Sequence, residues 1–183
     1  MGSMSSRETT NHANSELIKR PVQIRNRLKY IIIGKQETGK ADLVKTISLI
    51  DSVDGTNYKP ISTIGIDFFI KEFEDPISKT KFKVQFWDTA GYERYRVIIQ
   101  SYYKGSDLGI FLYTETSDCD IESFIYNFKI QSDGMIVIIK NVSNSSIIKL
   151  DNIYDSIHHY MLDVKNTSDV KLLLSIIQPP LIN

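Results

Sequence analysis

The stretch "YIIIGKQETGKADLVKTI", residues 30–47, constrains the fold more than any other. A β-branched apolar run reads as a buried strand, a glycine-bounded loop follows, and Leu43, Val44, Ile47 and Ile50 then recur on one helical face. A strand that turns through such a loop into a helix aims several backbone N–H groups and the positive end of the helix at one point, an arrangement suited to a phosphate. Residues 34–41 match G-x-x-x-x-G-K-[ST] at each fixed position except the last, where Ala41 stands. Gly34 and Gly39 allow close approach and unusual dihedrals, and Lys40 can reach phosphate oxygens as a point charge. Lys35, Gln36, Glu37, Thr38 and Asp42 complete the stretch expected around the phosphates. The competing reading is a glycine turn with a solvent-facing lysine.

The rest of the chain repeats the strand–helix theme. "IGIDFFIKEFE" and "KFKVQFWD", separated by "DPISK", predict an antiparallel hairpin. "DLGIFLYT" and "GMIVIIK" predict buried strands, and "DIESFIYNFKI" a helix with Phe124 and Phe128 one turn apart. "IYDSIHHYM" reads as a short helix followed by a strand, with His158 and His159 as a solvated helical pair. "SDVKLLLSIIQ" puts Val170, Leu173, Leu174 and Ile177 on one helical face before "PP" stops it. Alternating strands and helices imply an open α/β sheet covered on both faces, with ligands at the carboxyl ends of the strands.

Composition narrows the function. The 183 residues suffice for one domain with a sizeable core, and 42% hydrophobic with 24% charged residues is ordinary for a globular protein. With 22 acidic and 22 basic residues the formal charge is zero, which argues against bulk binding to nucleic acid. The single Cys119 cannot form an intramolecular disulfide and points to a reducing compartment. "MGSMSS" has the outline of a myristoylation pattern but reads better as an expression scar. Residues 1–20 are expected to be a flexible arm, 21–178 the folded domain and 179–183 a short tail.

A second constellation, "WDTAG", Trp87 to Gly91, ends the third predicted strand. An aspartate there can hold a Mg²⁺-bound water, and the glycine N–H can sense a γ-phosphate. "STIGIDF", "KVQFWDTAGYER", "SYYKGSD" and "ESF" resemble the signature stretches of the Rab branch of the Ras-superfamily small GTPases, from about Leu28 to Phe128. The resemblance implies a three-layer G domain with a phosphate loop, a six-stranded, mostly parallel sheet with one antiparallel hairpin, and about five helices. It implies GTP or GDP with Mg²⁺, switch regions that change with the nucleotide, and effectors on vesicle membranes. By the same resemblance, Lys40 is the phosphate lysine, and Thr63 reaches Mg²⁺ and the γ-phosphate. Asp88 holds Mg²⁺ through water, and Gly91 senses the γ-phosphate. Phe68, Trp87 and Tyr102, with Ile64, correspond to the surface offered to effectors, plain core packing being the alternative for the three aromatics.

The departures from the family pattern cluster. Ala41 lacks the hydroxyl that ligates Mg²⁺ there, so weakened metal binding is expected, with a water filling the vacant corner. Tyr92 stands at the catalytic position of the water-orienting glutamine, and a phenol lacks the amide's paired donor and acceptor, so slow or absent hydrolysis is expected. Gln36 and Glu37 stand where small residues are usual. For the N-K-x-D motif that reads guanine, alignment on Lys140 puts Ile139 at the asparagine and Val142 at the aspartate, and no carboxylate occurs before Asp151. The later S-A-K motif aligns with Asp163 to Lys165, leaving Lys165 as the stem over the base. Strict GTP specificity is therefore in doubt. The family usually ends in prenylated cysteines, whereas this chain ends "QPPLIN": either it is trimmed, or it has no such lipid anchor.

Two functions follow from these residues. One is a Rab-like switch that binds GTP and GDP, hydrolyses slowly and engages effectors and exchange factors. The other is a pseudo-GTPase that presents a Rab-like surface with little or no nucleotide. Both imply a monomer inside a eukaryotic cell, without nucleic-acid binding.

Overall fold

The structure, a computed structural model, describes residues 27–50, 65–75, 79–117, 120–144, 146–150 and 157–178. The elements in chain order are β1 (Arg27–Ile33), α1 (Lys40–Leu49), β2 (Ile66–Glu74), β3 (Lys81–Thr89), α2 (Arg96–Ser101), β4 (Leu108–Tyr113), α3 (Ile121–Gln131), β5 (Met135–Asn141), β6 (Ile148–Lys149), β7 (Ile157–Leu162) and α4 (Thr167–Ile177). A 3-10 turn, Glu93–Tyr95, precedes α2.

The strands form one sheet in the order β2-β3-β1-β4-β5-β7-β6. The five central strands are parallel, and β2 and β6 run antiparallel at the two edges. The α/β class, mostly parallel sheet and antiparallel hairpin match the expectation. The sheet has seven strands rather than six, because two residues of β6 pair back onto β7. Four α-helices and one 3-10 turn occur among the described residues, where about five helices are expected. The predicted arm 1–20, the tail 179–183, Cys119 and the helix expected before residue 157 lie outside the described residues.

β4, β5 and the second half of β1 are apolar on both faces because helices cover both, whereas β3 alternates, with Lys81 and Lys83 exposed between the buried Phe82 and Val84. Tyr30, Ile32, Val84, Phe86, Ile110, Leu112, Val137 and Ile139 face α1 and α4, where Leu43, Val44, Ile47, Val170, Leu173, Leu174 and Ile177 complete the core. Ile31, Ile33, Phe111, Ile136 and Ile138 face the other way, onto Ile99, Tyr103, Phe124, Ile125 and Phe128. This period-two alternation sends successive strand residues to opposite layers, and each fully buried aliphatic side chain contributes about 2 kcal/mol. Side-chain caps start two of the helices: Asp120 accepts the Ser123 N–H at 2.8 Å for α3, and Asn166 accepts those of Ser168 and Asp169 for α4.

His158 and His159 lie on β7, not on a helix. His159 is 4% exposed, and its Nε2 pairs with the Tyr113 hydroxyl at 2.8 Å. Strand pairing with β5, in register His158↔Val137 and His159↔Ile138, outweighs the polar look of the segment.

Candidate functional site

The loop between β1 and α1 lies at the carboxyl ends of the parallel strands. Its lysine is anchored: Lys40 is 7% exposed and its Nζ donates to the Lys35 carbonyl at 2.5 Å. The Thr38 hydroxyl donates to the same carbonyl at 2.9 Å. Burial holds the Lys40 amine below the usual lysine range, and Asp88 counteracts this. Gly39, at φ 94°, occupies the left-handed region, and a Cβ there would stand 2.3 Å from the Asn141 amide nitrogen. Glu37 adopts φ 61° without being glycine and is exposed. Ala41 is exposed at the second position of α1.

The "DTAG" segment meets this loop from β3. The Thr89 hydroxyl donates to the Ile32 carbonyl at 2.7 Å, and the Ala90 N–H to the Gly65 carbonyl at 2.7 Å. Gly91 packs so closely that a Cβ would stand 2.4 Å from the Gln36 nitrogen. Asp88 pairs across the sheet with Asp67, and the Oδ1 of each is buried without a hydrogen-bond partner among the described residues. Burial pushes the Asp88 carboxyl up to about 6; Lys40 opposes the rise, Asp67 adds to it, and the Thr89 backbone N–H opposes it. Buried carboxylate oxygens without donors suit a hard divalent cation that prefers oxygen ligands, so the residues present fit Mg²⁺. Thr63 and Ile64 lie outside the described residues.

Tyr92 is 49% exposed beyond Gly91. The Arg94 guanidinium sits 4.9 Å from its ring centroid and 4.9 Å from that of Tyr95. The ring therefore offers a stacking face and a single hydroxyl. A cavity of about 100 Å³ opens beside it, lined by Gly34, Lys35, Gly91, Tyr92, Arg96 and Tyr103 among others.

The three aromatics come together. Phe68 stacks on Trp87 with centroids 5.4 Å apart, and Trp87 meets Tyr102 at 5.7 Å. Lys29 places its Nζ 4.9 Å from the Trp87 centroid. All three rings belong to half-buried residues, and Trp87 and Tyr102 pack against the core cluster of Ile31, Ile33 and Phe111.

On the base side the structure differs from the expected alignment. Ile139 is fully buried in the core facing α1 and α4, and Lys140 pairs with Glu115 at 2.6 Å. Asn141 reaches the phosphate loop instead: its Nδ2 donates to the Thr38 carbonyl at 3.1 Å, and its Oδ1 accepts the Val164 N–H at 3.3 Å. Counting N-x-x-D from Asn141 puts Val142 at the motif's lysine and Asn144 at its aspartate, two residues beyond the alignment on Lys140. The signal is the asparagine after "VIIK", which an alignment anchored on the lysine skips. Lys165 spans to Asp42 on α1, Nζ to Oδ2 3.6 Å. The aligned ends of β1, β3, β5 and β7 thus bring together Lys40, Asp88, Gly91, Asn141 and Lys165, a set able to hold a phosphorylated ligand beside a divalent cation.

Residues 29–146 match the family model described as "Ras of Complex, Roc, domain of DAPkinase". The chain is 42% identical over 89 residues to Ras-related protein Rab-1 of Theileria annulata, covering 49% of this chain and 38% of that protein. It is 44% identical over 96 residues to GTP-binding protein YPT1 of Saccharomyces cerevisiae, covering 52% and 42%. Against Ras-related protein Rab-8B of Bos taurus it is 40% identical over 105 residues, covering 55% and 47%. The chain thus spans less than half the length of each of these three relatives.

Proposed function

Because the chain belongs to the Ras superfamily of small GTPases, as a Rab-like member, we propose that it is a nucleotide-dependent switch in intracellular vesicle trafficking. It binds GTP or GDP with Mg²⁺ and hydrolyses GTP slowly. The observation that carries this reading is the apposition of Gly91 to Gln36 beside the buried Lys40 and the carboxyl of Asp88. A small rearrangement at a γ-phosphate would be felt at once by the segment leading through Tyr92 into α2.

In this reading the backbone of residues 34–39 and the amine of Lys40 hold the phosphates. Asp88, through water, and Thr63 would hold Mg²⁺, which when bound supplies charge neutralisation at the phosphate oxygens. Phe68, Trp87 and Tyr102 form the surface offered to effectors, and their stacked packing favours this use. Tyr92 orients the attacking water poorly, because its ring stacks with Arg94 and lacks an amide's donor–acceptor pair. The protein acts as a monomer in the cytoplasm and meets vesicle membranes through its partners; no helix of the described residues is long and apolar enough to cross a membrane.

A second reading, a pseudo-GTPase that presents this surface with little or no nucleotide, is favoured by one observation. Glu37 puts an acidic residue, in the left-handed conformation, into the loop that would hold the phosphates. Denaturing the purified protein and identifying released nucleotide by chromatography separates the two. Stoichiometric GTP or GDP supports the switch and ends the pseudo-GTPase reading. An empty protein that also takes up no added nucleotide ends the switch reading.

A further inference from the structure

The register set by Asn141 leaves an amide, Asn144, where the family motif has its guanine-reading carboxylate. Guanine presents two adjacent donors, N1–H and the exocyclic amine, whereas an amide offers one acceptor and one donor. A carboxylate nevertheless stands beside Asn144. Asp163, on the turn between β7 and α4, accepts the Asn144 N–H on Oδ2 at 2.9 Å and the Lys165 N–H on Oδ1 at 2.9 Å. Two backbone donors thus fix this carboxylate, one on each oxygen, and each oxygen keeps a second lone pair. The turn itself is held: the Asp163 N–H donates to Asp169 at 3.3 Å, and the neighbouring Val164 N–H to Asn141, which also bonds the phosphate loop. Lys165, two residues on, bridges to Asp42 and spans the gap between this turn and α1.

We propose that Asp163 is the guanine-reading group of this chain, the acid having moved from the loop after β5, where Asn144 stands, to the loop after β7, where the S-A-K motif has serine. The proposal rests on the nucleotide-binding reading above. Its two free lone pairs accept N1–H and the exocyclic amine of the base, and the backbone bonds orient them in advance. Guanine selectivity survives the loss of the motif's aspartate, because the carboxylate is supplied across the same gap.

Calorimetric titration of the full chain with the diphosphates of guanosine, inosine, xanthosine and adenosine tests this. Guanosine diphosphate should bind tightest, and inosine diphosphate, which lacks the amine, about tenfold more weakly. Asp163→Asn should weaken guanosine diphosphate about 100-fold. Pairing Asp163→Ser with Asn144→Asp, which returns the acid to the other loop, should restore most of that affinity and decides the matter if the single variant melts early. Wild-type affinity retained by a folded Asp163→Asn overturns the proposal, as does a wild-type preference for xanthosine diphosphate, which would assign reading to the Asn144 amide. Absence of any nucleotide binding overturns this proposal together with the switch reading, whereas guanosine diphosphate binding indifferent to Asp163 overturns this one alone.

Discussion

Asn141 joins two loops that are 103 positions and 23 positions away from it in sequence, through the Thr38 carbonyl at 3.1 Å and the Val164 N–H at 3.3 Å. The left-handed Gly39 leaves the space its amide fills. Asn141→Ala removes both bonds and leaves a partly buried carbonyl and N–H unpaired, at a cost of about 2 kcal/mol. Urea unfolding should show that loss, together with weaker guanosine diphosphate binding. A variant as stable as the parent would mean the bridge is incidental.

Glu37 holds φ 61°, a region that costs a non-glycine residue about 1 kcal/mol or more. Glu37→Gly relieves that strain but adds entropy to the unfolded chain, so the net gain in stability is at most about 1 kcal/mol. It also removes a carboxylate from the phosphate loop, so diphosphate affinity should rise, most at low salt. Unchanged affinity across a salt series would show that the carboxylate points away from the ligand.

Ala41 and Tyr92 make separable predictions. Ala41→Ser supplies the missing hydroxyl, and nucleotide affinity should then gain more from added Mg²⁺ than the parent's does. Tyr92→Gln frees the segment from the Arg94 stack and supplies an amide, and single-turnover GTP hydrolysis should accelerate about tenfold or more. If Ala41→Ser gains nothing from Mg²⁺, or Tyr92→Gln is no faster than the parent, the role given to that position is wrong.

His159 is buried against Tyr113. Burial, and then the charge of Lys140, hold its pKa below the ordinary 6.5. The unfolded chain therefore takes up this proton more readily than the folded one. Stability tied to the neutral ring is complete above pH 6.5 and is lost as pH falls from there through the depressed folded value. Thermal melts at pH 7.5 and 5.5 should show a smaller drop for His159→Gln than for the parent. Equal drops would place the acid sensitivity elsewhere.

The phosphate loop is legible in the sequence because its signal is local: glycines, lysine, strand and helix lie within one short stretch. The stripes of α1 and α4 are legible for the same reason, since Leu43, Val44 and Ile47 or Val170, Leu173 and Leu174 repeat at helical spacing. The base side is less so, because what Asn141 does depends on a hydrogen bond to Thr38 in another loop, whereas the lysine beside it, Lys140, which anchors the alignment by sequence, pairs with Glu115. The histidine pair misleads for a related reason. Partners on β5 and the Tyr113 hydroxyl, none of them near in sequence, place both histidines in the strand expected after the helix rather than on the helix itself.

In the proposed function, residues 34–40 hold the phosphates of a guanine nucleotide. Calorimetry of guanosine diphosphate, in excess Mg²⁺, against the parent protein and Lys40→Ala tests it most directly. The parent should show one site per chain, and the folded variant an affinity about 100-fold lower, because a buried amine aimed into the loop is lost. No heat from the parent, or equal affinities in the two proteins, would contradict it.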